Sequence, residues 1–271
     1  MDPRDRHARL KLHRRGHLGG AILPHRSIWS LRLPKRRLAT GVAIALGFTL
    51  LLDWAQHWIA EFWGWQLVGW MQALDLPGQF TLPQLGESSL LALPVPLIDA
   101  AMPATDPLTP LAHGLGALAV WVFAGWLPDS GRPATYLLRF GVLIHMVSVA
   151  YFLLWPASFG HSLMGHVSSG LRQCWALLLF TPWLHLATFY LFPFALWHRI
   201  ALTVLTLAFL CLLAPLLYAS HAALIYLAGP ILMPLLHLLF GVMVQILGLV
   251  ALYGWAMSWH DPTPERRKAV A

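Results

Sequence analysis

The chain is poor in charged residues, and this scarcity excludes an ordinary soluble globular protein. Charged residues make up 11% and hydrophobic residues 58% of its 271 residues, whereas soluble domains carry about a quarter charged residues. So apolar a chain cannot cover its surface with polar groups in water. A bilayer is the solvent in which an apolar exterior is stable, and the 14 tryptophans fit a membrane protein because indoles collect at membrane interfaces.

Cysteine is also scarce. The two cysteines, Cys174 and Cys211, both lie inside apolar runs. The sequence therefore predicts neither a disulfide framework nor a zinc knuckle, and both thiols are interpreted as small buried hydrophobes.

Positive charge is abundant in one place only. Eleven of the 18 lysines and arginines lie in residues 1–37, which contain no apolar pattern long enough to build a core. We interpret residues 1–37 as a flexible cytoplasmic segment whose basic side chains bind anionic lipid headgroups. Because this basic segment directly precedes the first apolar run, we do not expect it to bind nucleic acid.

The rest of the chain alternates apolar runs with short breaks rich in Pro, Gly and charge. A spanning helix needs about 20 mostly apolar residues. The runs predict an all-α polytopic protein of a bacterial inner membrane, with one transmembrane domain over 38–258 and a tail at 259–271. The predicted helices are 38–59, 110–127, 136–156, 171–192, 198–219 and 235–258.

The positions of the basic residues predict which loops and termini face the cytoplasm. With six spans and a cytoplasmic N-terminus, the cytoplasmic side receives Arg132, Arg199 and the tail residues 266–268. Arg172 alone of the 18 lysines and arginines then falls on the outer side. Because cytoplasmic loops carry the excess of Lys and Arg, both termini are expected to be cytoplasmic.

The longest predicted connection, residues 60–109, lies on the outer side. Its start contains Trp63, Trp65 and Trp70, which predicts a helix lying in the interface. Prolines interrupt apolar sequence at 90–105 and again at 222–234, and these two stretches are candidates for short re-entrant elements.

Polar residues recur at helical spacing within the predicted spans. Because polar groups facing lipid are costly, the stripes are expected to face one another, either as interhelical contacts or as a site. They comprise Thr49, Asp53 and His57; His145 and Ser148; Cys174, Thr181, His185 and Thr188; and His237, Gly241, Gln245 and Gly248.

The predicted topology gathers many histidines near the outer boundary. Such histidines serve as proton carriers, metal ligands or polar anchors. Their spacing matches no known ligand pattern, so no metal site is predicted. The expected cluster comprises Asp53, His57, His113, His161, His166, Tyr218 and His221. His145 and His185 lie at mid-membrane depth and are candidate ligands of a haem or pigment; the cofactor is otherwise unknown.

Ser168, Arg172 and His237 form a candidate catalytic set at the same boundary. Arg172 is a fixed cation that can stabilise an oxyanion. Ser168 lies one helical turn from it and can act as a nucleophile if His237 takes its proton.

The same region resembles the exosortase/archaeosortase family, polytopic transpeptidases that cleave C-terminal sorting signals at the outer face of the membrane. The family motif Glu-Ala-Cys-Ser-Gly-Leu-Arg corresponds to His166-Val167-Ser168-Ser169-Gly170-Leu171-Arg172. The resemblance covers mostly residues 106–257 and continues through Asp106, His113-Gly114, Phe192-Pro193, Trp197, Arg199 and His237. It implies a transpeptidase in which Ser168 replaces the nucleophilic cysteine and Tyr218 lies near the place of a later arginine.

Three functions remain open from the sequence. An accessory or structural subunit of a larger membrane assembly is ranked first, because the replaced cysteine and arginine indicate lost chemistry. A membrane transpeptidase with a serine nucleophile is the second. A transporter or a haem- or pigment-binding protein that uses the intramembrane histidines is the third.

Overall fold

The computed structural model describes residues 35–76, 79–81, 95–99, 102, 106–191 and 194–259. Most of the basic N-terminal segment and all of the tail after 259 lie outside these residues, as does most of the predicted re-entrant stretch at 90–105.

The described chain is predominantly helical. Two three-residue strands, β1 (Gln79–Thr81) and β2 (Leu97–Asp99), pair antiparallel with Phe80 opposite Ile98. The helices are α1 (Lys35–Ala73), α2 (Thr109–Gly125), α3 (Arg132–Leu154), α4 (Leu163–Leu191), α5 (Leu196–Ala228) and α6, which joins Met233–Leu235, a π-helical stretch Leu236–Met243 and Val244–Ala256. Short 3-10 turns lie at Asp129–Gly131, Pro156–Ser158, Pro230–Leu232 and Met257–Trp259.

Four helical segments of the described chain are long and apolar enough to cross a membrane. They are Leu38–Ala73, Asp129–Leu154, Leu196–Ala228 and Pro230–Trp259, and Thr109–Gly125 is a shorter apolar helix. The predicted helical membrane architecture is thus confirmed at this coarser level. Several ends differ from prediction: α4 begins at Leu163 instead of 171, and α5 continues to Ala228 instead of ending at 219.

The tryptophan-rich start of the 60–109 segment is not a separate interfacial helix, and here the prediction was wrong. Residues 60–73 continue α1. Gly64 and Gly69 lower the stability of a helix, but neither of them ends this one. Trp63 is fully buried, whereas Trp65 and Trp70 are exposed.

The predicted re-entrant element at 222–234 is also replaced by regular structure. Residues 222–228 complete α5, and the chain then reverses at Gly229, whose φ of 88° suits glycine because it lacks the Cβ that disfavours positive φ. Pro230 begins the 3-10 turn that leads into α6. Within 90–105, residues 97–99 form β2.

Helices α1, α4 and α5 build the main core. Its cluster of buried side chains includes Leu67, Leu171, Trp175, Leu210 and Ile225. Helices α2 and α3 form a hairpin that packs against the start of α6 and the turn before it. The core is therefore a three-helix bundle with a hairpin attached through α6.

Five helix ends meet at one end of this bundle, which we call the histidine end. There α2 begins, α3 ends, α4 begins, α5 ends and α6 begins, joined by the short connections 155–162 and 229–232. Residues near these five helix ends lie at the same depth in the bundle. Histidines that are far apart in the sequence therefore come close together at this end.

Candidate functional site

Four aromatic side chains from three helices form a cluster at the histidine end. His166, Tyr218, His221 and His237 make up this histidine–tyrosine cluster. Nε2 of His166 lies 3.3 Å from Nδ1 of His221, and the ring centroids of His166 and His237 are 6.0 Å apart. Tyr218 packs edge-on against both His221 and His166, at 5.1 and 6.2 Å between centroids.

The local structure of each helix explains this convergence. His166 lies in the first turn of α4, and Tyr218 and His221 are three residues apart near the end of α5, so they share one face. His237 comes from the π-helical stretch of α6. Such wider turns are rare and occur often at functional sites.

Two glycines make room for Tyr218 between α4 and α6. A Cβ added to Gly170 would collide with the Tyr218 ring, and one added to Gly241 would lie 3.3 Å from its hydroxyl oxygen. The tyrosine also neighbours Cys174 and Gln245. Cys174 of the predicted α4 stripe therefore meets Gly241 and Gln245 of the predicted α6 stripe around this one side chain.

The cluster has the chemistry of a proton path. An imidazole can donate through one nitrogen and accept through the other, so the His166–His221 pair can pass a proton between α4 and α5. Among the described residues, no group of three His, Cys, Asp or Glu side chains is arranged to hold a metal ion.

A second histidine pair joins the hairpin to α5. Nδ1 of His113 lies 3.0 Å from Nε2 of His145, and Nε2 of His113 lies 2.9 Å from the carbonyl oxygen of Ala228. His113, predicted to join the outer cluster, therefore pairs instead with His145. Since His185 contacts Thr203, at 3.0 Å between Nδ1 and Oγ1, the two proposed cofactor ligands have separate partners.

The candidate catalytic set is not arranged as a nucleophile and base. Ser168 is buried, and its hydroxyl donates to the carbonyl of Gly165 in its own helix at 3.3 Å. Arg172 is exposed. Of the three residues, His237 alone belongs to the histidine–tyrosine cluster, where it packs near His166.

The remaining predicted site residues lie elsewhere. His161 is exposed and packs against Phe159. On α1, His57 pairs with Glu61 at 3.0 Å between Nε2 and Oε1, with both side chains about half exposed. Asp53 is partly exposed one turn before His57. These α1 residues are therefore separate from the cluster.

Sequence reasoning missed two features of this region. It assigned His113 and His145 to different groups, because His113 lies four residues after the start of α2 whereas His145 lies nine residues before the end of α3. It also omitted Glu61, whose four-residue spacing from His57 was a readable signal. No family model, curated protein or solved structure matches the chain, so its function is inferred from the geometry of these residues.

Proposed function

We propose that this chain is a multi-pass protein of a bacterial inner membrane that works as an accessory subunit of a larger membrane assembly. The strongest support for this proposal is a stripe of ionisable residues on the face of α1 that is exposed to the surroundings of the bundle. The stripe comprises Asp53, His57 and Glu61, which recur every four residues within a helix apolar enough to span a membrane.

Contact between this stripe and lipid would cost free energy. Ionisable groups in spanning segments nearly always face protein or water. Trp54 and Trp58, which pack edge to face with ring centroids 4.3 Å apart, flank the stripe with exposed rings. A helix of another membrane protein that carries Lys or Arg at this level would neutralise the two carboxylates. Aromatic side chains such as these are enriched at the centres of protein interfaces.

The topology proposed for the subunit has six passes, with both termini in the cytoplasm. The basic residues support this direction, since Arg132 and Arg199 lie at the helix starts opposite the histidine end, and the excess of Lys and Arg marks the cytoplasmic side. The histidine end then faces the outer compartment.

Purification from native membranes tests the subunit proposal. Tagged wild-type protein should bring down a membrane-protein partner in a fixed ratio, and Asp53→Asn combined with Glu61→Gln should remove it. The matched control is Asp129→Asn, which changes an exposed carboxylate in the turn between α2 and α3. Recovery of the wild type as a lone monomer, or retention of the partner by the double variant, would contradict the proposal.

The histidine–tyrosine cluster favours a second candidate, proton transfer as part of a transporter. Its support is the 3.3 Å contact between His166 and His221, because histidine chains act as proton relays in membrane proteins. In liposomes with a pH-sensitive dye inside, wild type should speed proton entry and His221→Phe should slow it at least about tenfold. The control, His198→Phe, changes a histidine at the opposite end that packs against Trp259; equal rates for both variants would exclude the relay.

An exosortase-like transpeptidase has weaker support. Among the described residues, no base is hydrogen-bonded to Ser168, whose hydroxyl donates to the carbonyl of Gly165. An unassisted hydroxyl is a poor nucleophile. Under the subunit proposal, Ser168→Ala leaves the processing of membrane-anchored substrates unchanged; abolished processing would instead make the enzyme the leading function.

A further inference from the structure

A crevice with a volume of about 600 Å³ lies between the hairpin of α2 and α3 and the helix α6. Among the described residues that line it, His113 and His145 have the only polar side chains, and the others are glycine or apolar. Pockets of this volume between helices commonly bind ligands. Any occupant must therefore match walls that are almost wholly apolar.

The two histidines offer little polar surface to an occupant of the crevice. Nδ1 of His113 and Nε2 of His145 are hydrogen-bonded to each other at 3.0 Å, and Nε2 of His113 donates to the carbonyl of Ala228. The remaining nitrogen, Nδ1 of His145, is buried away from the surface of the crevice. A ligand with a polar group at this depth would lack a hydrogen-bond partner, so the walls favour a plain hydrocarbon.

The crevice opens sideways, toward the surroundings of the bundle. Val120, Leu137, Phe240 and Leu247 line it and have exposed side chains. Its α3 and α6 walls belong to helical segments that are long and apolar enough to cross a membrane. Lipid tails then lie at its mouth, and water does not fill apolar cavities readily.

The dimensions of the crevice favour a lipid tail over a protein helix. Its walls run from Ala112 to Val120 on α2 and from Leu137 to His145 on α3, which is about 12 Å at 1.5 Å per residue. A helix of this length with a diameter of about 10 Å would need about 900 Å³, which is more than the crevice contains. The tails of one leaflet extend over a similar depth, about 15 Å in a hydrocarbon core of about 30 Å.

We propose that this crevice binds an acyl chain of a bilayer phospholipid, which packs between the hairpin and α6. Contacts between α3 and the rest of the described bundle are concentrated at the turn Pro230–Leu232 and at the start of α6. Folded proteins rarely leave voids of this size empty, so the chain completes the packing farther along α6. This site goes beyond the subunit proposal and does not depend on it, because it uses no residue of the α1 stripe.

Retention of a photoreactive lipid tests the site. The probe is a phosphatidylcholine with a diazirine halfway along one acyl chain. The full chain is reconstituted with the probe, transferred to detergent to remove loosely held lipid, and irradiated. Wild type should retain the probe, and the attachment should map to lining residues such as Leu138, Leu239 and Met243.

Substitutions on α2 that fill the crevice should remove the probe. Gly116 lines the crevice, and a Cβ added there meets no atom within 4 Å, so Gly116→Leu should take the place of the chain and lose most of the retained probe. Ala112→Leu fills the crevice nearer the histidine end and gives the same test if Gly116→Leu does not fold. The matched control, Gly47→Leu, also extends into open space, but on α1, and should retain the probe as wild type does.

Unfolding temperatures separate a bound chain from the general effect of lipid. Removal of phospholipid should lower the unfolding temperature of wild type and of Gly47→Leu, because a ligand of the folded state stabilises it. In Gly116→Leu the shift should be smaller, since leucine replaces part of the chain.

Equal retention of the probe by wild type and by a folded crevice-filling variant would overturn the proposal, as would attachment confined to residues outside the crevice. A native mass spectrum in which wild type keeps a second protein chain and no phospholipid would overturn it by assigning the crevice to a protein. An equal shift in unfolding temperature for wild type and Gly116→Leu would show that lipid acts elsewhere.

Discussion

At the scale of single residues, the fit of Tyr218 against Gly170 connects the candidate site to the stability of the bundle. The ring occupies the space that a side chain at position 170 would need, and Tyr218 itself is fully buried in the core. Tyr218 therefore both fills the space between α4 and α5 and contacts His166 and His221.

The change Gly170→Ala should therefore destabilise the protein. The methyl group would force the Tyr218 ring to move, and overpacking a well-packed core costs about 1–3 kcal/mol. Reversible unfolding in detergent should show a loss of this size in the free energy of unfolding.

The control is Gly69→Ala on α1, where an added Cβ meets nothing within 4 Å. There alanine should be neutral or stabilising, by up to about 1 kcal/mol, because it favours helix over glycine. Equal effects of the two substitutions would show that Tyr218 does not limit the packing.

The residues of the candidate site could be predicted from the sequence only in part. The threading of apolar runs places His166, Tyr218, His221 and His237 at one level, and these four do converge in the structure. The hydrogen bond from Ser168 to Gly165 depends on a side-chain rotamer, which spacing along a helix does not reveal. For the same reason the bond between His113 and His145 was not predictable.

At the scale of elements, a hydrogen bond between helices compensates for a proline. Pro215 lies inside α5 and has no N–H, so the carbonyl of Cys211, four residues earlier, lacks its helical donor. The indole N–H of Trp63 on α1 donates to that carbonyl at 2.9 Å. In a spanning helix, where water cannot satisfy a freed carbonyl, such a partner is needed.

Trp63→Phe should remove this donor and lower the free energy of unfolding by about 1–3 kcal/mol, the cost of a buried unpaired polar group. In a Pro215→Ala background the backbone N–H of residue 215 is restored, so the same change should cost less. Unfolding of the two single variants and the double variant measures the difference.

The control for this cycle is Trp65→Phe, because Trp65 is 75% exposed and its indole is not in the core. It should leave stability within about 0.5 kcal/mol of wild type. A Trp63→Phe loss that is the same in both backgrounds would show that packing, and not the carbonyl of Cys211, accounts for it.

The elements differ from the sequence prediction for identifiable physical reasons. The prediction ended α5 at 219, before Ser220 and His221, but these two residues do not break the helix and mostly apolar residues continue it to Ala228. Glycine and tryptophan near residue 64 indicated an interfacial break, but tertiary packing of Trp63 and Leu67 keeps α1 continuous. The π-helical stretch of α6 has no sequence signature of its own.

At the scale of the whole molecule, the proposals depend on which side of the membrane the histidine end faces. Under the proposed topology, the connection 155–162 lies outside with the cluster, and the connection 126–131 lies inside with the basic residues. An outward histidine end would give the histidine–tyrosine cluster access to substrates or partners in the outer compartment. An inward end would remove that access and reverse every assigned side.

Cysteine labelling of intact spheroplasts tests this orientation most directly. With Cys174 and Cys211 replaced by alanine, Gly160→Cys lies in the exposed α3–α4 connection, where an added Cβ meets open space, and Ser130→Cys lies in the exposed α2–α3 turn. A membrane-impermeant maleimide should label Gly160→Cys at once and Ser130→Cys only after permeabilisation. Labelling of both cysteines from the same side, or of Ser130→Cys alone, would contradict the account.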